Sequence, residues 1–82
     1  MRYLLLILPL LALLGCSKVS KESYEQIYVG MSYDAVVEVL GKPNACENID
    51  NINSCVWGNV SKNIKVRFLN ERAILINELG VL

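Results

Sequence analysis

The 82-residue chain contains no histidine, which removes imidazole acid–base catalysis and most zinc sites from consideration. An excess of charge of either sign is also missing. Eight Lys and Arg stand against eight Asp and Glu, for a formal charge of zero, so there is no electrostatic footprint for nucleic acid. Aromatic residues make up only 7%, with one Trp and one Phe. Two prolines and five glycines leave no Pro- or Gly-rich stalk, no phosphate-cradling glycine loop and no calcium-loop pattern. The length excludes a multi-domain enzyme, and 54% apolar residues exclude a disordered tail.

Much of that apolar content lies at the start of the chain. Residues 1–15 read MRYLLLILPLLALLG, with 12 of 15 apolar. Arg2 supplies a positive n-region, Tyr3 to Leu14 an apolar run, and Gly15 a small residue before Cys16, the pattern of an export signal with a lipid-attachment site. A membrane-spanning helix needs about 20 apolar residues, and polar residues begin here at Ser17. Leu13, Leu14, Gly15 and Cys16 also resemble the bacterial lipobox. That resemblance implies a diacylglyceryl group on the Cys16 sulfur, cleavage before Cys16 and acylation of the new amino terminus. The chain then divides into a signal peptide at 1–15, a lipidated Cys with a short tether at 16–21, and one module at 22–82. Residues 16–82 carry seven basic and eight acidic side chains.

A domain this short buries only about 60% of its unfolded surface, and its core rarely supplies more than about 3–5 kcal/mol. With Cys16 assigned to lipid, Cys46 and Cys55 remain as a pair in an oxidising compartment, where a structural disulfide is expected. Closing a loop of about ten residues restricts the unfolded chain by roughly 2–3 kcal/mol. The competing readings fit less well: two cysteines without His do not complete a tetrahedral zinc site, and the spacing is not the C-x-x-C of a redox dithiol.

Ser20 is positioned to cap a helix reaching about Tyr28, with Tyr24, Ile27 and Tyr28 on one face. Ser32 caps a second helix, with Asp34 in its first turn, an apolar stripe at Val36, Val39 and Leu40, and a stop at Gly41 before Pro43. From Asn44 the pattern turns to strands: Asn44–Asn48, a turn at Ile49–Asn53, Ser54–Gly58, an alternating run Asn63–Leu69, a turn at Asn70–Arg72, and Ala73–Leu79 with Ile74 and Ile76 on one side. The expected fold is α+β, two N-terminal helices packed on a three- or four-stranded antiparallel sheet.

The stretch Tyr24 to Ser32 (YEQIYVGMS), followed by Val36, Val37, Leu40, Gly41 and Pro43, resembles the opening of the BamE/SmpA-OmlA lipoproteins and the repeat of the secreted β-lactamase inhibitory protein. Small bacterial lipoproteins with one such module also carry a Trp-Gly pair like Trp57-Gly58 before an alternating strand. The resemblance implies an envelope location and a BamE-like fold. BamE proteins usually lack the cysteine pair, and the inhibitory protein has two modules where this chain has one. In the lipoproteins of enteric bacteria an Asp after the acylated Cys tends to hold the protein in the inner membrane, so by resemblance Ser17 implies an outer-membrane anchor facing the periplasm.

No catalytic constellation stands out. Asp34, Glu38, Glu47, Asp50, Glu71 and Glu78 are scattered, and the serines have no histidine base. No cofactor is expected. Candidate interaction residues are Ile49 and Ile52, apolar within a polar turn, together with Trp57, Lys65 and Arg67. Each has an ordinary reading as well: the isoleucines can fold onto the bridge, Trp57 can belong to the core, and the two cations can line a solvated sheet face. Three functions fit: a non-enzymatic module that binds another envelope protein, an inhibitor or immunity-type protein that blocks an enzyme such as a hydrolase, and a structural component binding lipid or cell wall.

Overall fold

The structure is a computed structural model that describes residues 18–82. Cys16 and the signal at 1–15 lie outside the described residues. Four strands in chain order form one antiparallel sheet: β1 (Ala45–Ile49), β2 (Ile52–Gly58), β3 (Asn63–Leu69) and β4 (Arg72–Leu79). Two helices precede it, α1 (Lys21–Tyr24) and α2 (Tyr33–Leu40).

The β1–β2 and β3–β4 hairpins each turn in two residues that have positive φ: Asp50 and Asn51 at 55° and 68°, Asn70 and Glu71 at 52° and 63°. Such turns match the right-handed twist of the flanking strands, and Asn and Asp tolerate the left-handed region better than most residues. The first turn is therefore tighter than Ile49–Asn53. Ile49 and Ile52 are the strand residues that flank it, directly opposite one another.

One face of the sheet is the core. Alternation along β3 buries Ile64, Val66 and Phe68 and exposes Lys65, Arg67 and Leu69. Cross-strand register adds Cys55 and Trp57 from β2, and Ala73 from β4. The alternation along β4 is interrupted. Phe68 pairs with Ala73 but Arg67 with Leu75, so Ile74 is an extra residue in a bulge. Ile74 is consequently exposed, while Ile76 still packs against the core.

Helix α2 closes this face. The Ser32 hydroxyl accepts a hydrogen bond from the Ala35 N–H at 3.1 Å, and Gly41 at φ 84° ends the helix, its N–H donating to the Val37 carbonyl. Val36 and Leu40 are buried against the sheet.

The expected layer of two helices is corrected by the structure. The strands have 5, 7, 7 and 8 residues, whereas α1 has 4 and α2 has 8, so the fold is a small sheet-dominated one with a single two-turn helix. The cause is a long-range pairing. After Glu25 the chain leaves helical geometry, and Gly30 donates to the Ala73 carbonyl at 2.7 Å while Ala73 donates to the Met31 carbonyl at 2.8 Å. Continuing α1 to Tyr28 would forfeit these bonds to the edge of β4. Ile27 and Met31 are buried, but Tyr28 points to solvent at 61% exposure.

Candidate interaction surface

Cys46 and Cys55 are directly opposed across β1 and β2 and form a disulfide, with Cα atoms 4.0 Å apart. The bridge has a specific task here. All five residues of β1 are exposed, so apolar burial does little to hold this edge strand on the sheet. Cys55 itself is 2% exposed and ties β1 to the core through the covalent bond.

The face of the sheet away from α2 has no second layer among the described residues. Its rows follow from the register. Ile49, Ile52, Leu69 and Arg72 stand side by side in the row nearest the two tight turns. Glu47, Ser54, Arg67 and Leu75 form the next row, and Ala45, Val56, Lys65 and Asn77 the one after it. Ile49 is 58% exposed, and Leu69 and Leu75 are also exposed. Four of the five residues singled out by sequence, Ile49, Ile52, Lys65 and Arg67, thus share one surface. Leu69 and Leu75 join them. Leu69 continues the alternation of Lys65 and Arg67 and was readable from sequence, whereas Leu75 reaches this face only because of the β4 bulge.

Trp57 is elsewhere. It is 1% exposed on the opposite face, and its indole N–H donates to the Gly41 carbonyl at 2.8 Å, fastening the end of α2 to β2. Its neighbour Gly58 has φ 108°, and a Cβ there would run into the Lys62 carbonyl oxygen. The Gly58 N–H donates to the Asn44 side chain at 2.7 Å. The Trp-Gly pair is therefore a fold-holding device. Asn59 has a local task too: its side-chain oxygen accepts from the backbone N–H of Ser61 and Lys62 and from the Ser61 hydroxyl, shaping the β2–β3 loop.

The two ends of the sheet differ. At the loop end, Lys18 lies against Gly41 and shares a shallow groove with Leu40, Lys42 and Trp57. Val19 is already part of the core and Ser20 caps α1, so the packed chain begins ahead of residue 22. At the turn end, the start of α2 and both tight turns surround a groove of about 880 Å³. Among the described residues there is no cluster of three or more His, Cys, Asp or Glu able to hold a metal, and no helix long and apolar enough to cross a membrane.

The chain matches no protein-family model, no curated protein and no solved structure.

Proposed function

We propose that the protein is a non-enzymatic module, anchored by lipid on Cys16 to the outer membrane and facing the periplasm, that docks another envelope protein on the open face of its sheet. The observation that carries this reading is the contrast between the two faces. One is covered by α2 except for the groove at the turn end, while the other leaves Ile49, Leu69 and Leu75 exposed beside Lys65 and Arg67. Exposed aliphatic groups gathered in one patch suit a contact surface. Lys65, Arg67 and Arg72 on this face ask for a partner with carboxylates opposite them.

Anchoring fits the placement of the chain. Val19 is in the core, and three residues span at most about 11 Å, so lipid on Cys16 would hold the loop end close to the bilayer. Lys18 and Lys42 at that end would meet anionic headgroups, each contributing about 1 kcal/mol near the surface. Kinship with the BamE-type lipoproteins belongs to this proposal through the Tyr24–Pro43 residue pattern alone.

The test is a photo-crosslinking amino acid placed in cells at Ile49, Lys65 or Leu75, with Glu38 on the exposed side of α2 as the control. Adducts of one size from the sheet positions and none from Glu38 are expected. Equal adducts from all four, or none, would overturn the docking face. Anchoring is tested separately by Cys16→Ser, which is expected to leave the protein unprocessed by lipoprotein maturation and without lipid by mass analysis.

A further inference from the structure

The groove at the turn end is made of unusual material for the core side of a sheet. The rows on that side run Trp57 with Ile64, then Cys46, Cys55 and Val66, then Asn48, Asn53 and Phe68. Where the apolar rows end, two amides stand directly opposite each other beside an aromatic ring. Asn51 and Asn70, from the two tight turns, line the same groove. Among the described residues none of these four side-chain amides, and on the other face not that of Asn77, makes a hydrogen bond to protein, whereas those of Asn44, Asn59 and Asn63 do. The turn geometry explains Asn51 and Asn70. It does not explain Asn48 and Asn53, which sit in strands on the core side.

From this arrangement we infer that the groove is a saccharide-binding site for a neutral, hydroxyl-rich glycan. Its volume, about 880 Å³, holds two or more sugar rings, at the upper end of the range for small-ligand sites. Each primary amide offers two donors and a carbonyl acceptor, matching sugar hydroxyls that donate and accept at once. Tyr33 lines the groove and is held by an edge-on contact with Phe68, ring centroids 5.1 Å apart, which supplies a rigid aromatic surface for the apolar side of a pyranose. The charged residues of the lining are Asp34 and Glu71, with no Lys or Arg, so phosphorylated and other anionic ligands are repelled.

The site shares only Leu69, at its rim, with the proposed docking face. It lies on the helix side of the sheet, and a seven-residue strand, roughly 23 Å, separates it from the loop end where Lys18 packs. Its test is distinguishable from those of the partner and anchor readings, because the crosslinking positions Ile49, Lys65 and Leu75 do not line the groove.

The experiment is calorimetric titration of the full-length protein in neutral detergent micelles with the linear N-acetylglucosamine trimer and with cellotriose, and with inorganic phosphate as the anionic control. Saturable binding of at least one oligosaccharide at millimolar or lower concentration is expected, with none of phosphate. The double variant N48A/N53A is expected to weaken it at least tenfold. NMR on the unaltered protein keeps the test meaningful if that variant folds poorly: the side-chain amide signals of Asn48, Asn51, Asn53 and Asn70 are expected to shift on titration. No saccharide binding, or shifts confined to other residues, would overturn the inference.

Discussion

The two hairpins share a turn geometry and differ in almost everything that keeps them in place. The β3–β4 hairpin buries Ile64, Val66, Phe68 and Ala73, and its outer edge is paired at Ala73 with Gly30 and Met31. The β1–β2 hairpin buries side chains only from β2, and β1 is held by its ladder and by one covalent bond. Packing fixes β2, β3 and β4, and the disulfide fixes β1 to them. The division has a functional side: β1 contributes Ile49 to the open face, so the bridge keeps that part of the proposed docking surface in register.

The largest effect is expected in the packed hairpin. Phe68→Ala removes a ring that is 2% exposed and supports Tyr33, and is expected to cost about 3–5 kcal/mol, read as loss of cooperative unfolding or a much lower Tm. Glu47→Ala on exposed β1 should change stability by less than about 0.5 kcal/mol. Comparable losses at the two positions would break the comparison.

Next comes the bridge. Cys46→Ser leaves the buried Cys55 sulfur in place and is expected to cost about 2–3 kcal/mol from loop closure, lowering Tm by more than 5 °C. Hydrogen exchange sharpens the point. Amides of β1 are expected to exchange at least about tenfold faster in the variant, relative to those of β3. A uniform change along all four strands would mean that the bridge acts on the whole fold and not on its edge strand.

A smaller effect is expected at the helix that covers the core. Ser32→Ala removes the N-cap bond to Ala35 and should cost about 1 kcal/mol by denaturant titration. The smallest concerns the turns and has the opposite sign. Glu71 sits at φ 63°, which costs an L residue roughly 1–2 kcal/mol, partly offset in glycine by its backbone entropy. Glu71→Gly is thus expected to stabilise by about 0.5 kcal/mol, and Asn51→Gly in the other turn by less, because Asn tolerates this region. An equal gain at both would remove the distinction between the turns.

What could be read from sequence was local. The Ser32 cap and Gly41 stop of α2, the alternation of β3 and the pairing of Cys46 with Cys55 all depend on residue type and near spacing. The end of α1 was not legible, because the bonds from Gly30 and Met31 to Ala73 join segments over 40 residues apart and no periodicity around Tyr24 reports them. The β4 bulge was hidden for a similar reason: Ile74 and Ile76 alternate plausibly until the register with Arg67 and Phe68 is known. Ile49 and Ile52 read as turn residues because Asn48 and Asn53 extend the polar run around Asp50 and Asn51, although two positive-φ residues suffice to make the turn. Trp57 satisfies both its bulk and its N–H inside the fold, a fact that composition alone does not reveal.

The open face counts as one docking surface only if both hairpins present it to the same partner. Photo-crosslinking at Ile49 in β1 and at Leu75 in β4, carried out in the same cells and followed by mass identification of the adduct, tests this most directly. The account predicts the same partner polypeptide from both positions, with the Ile49 adduct weakened and the Leu75 adduct retained in the Cys46→Ser background. Different partners from the two positions, or no adduct from either, would contradict it.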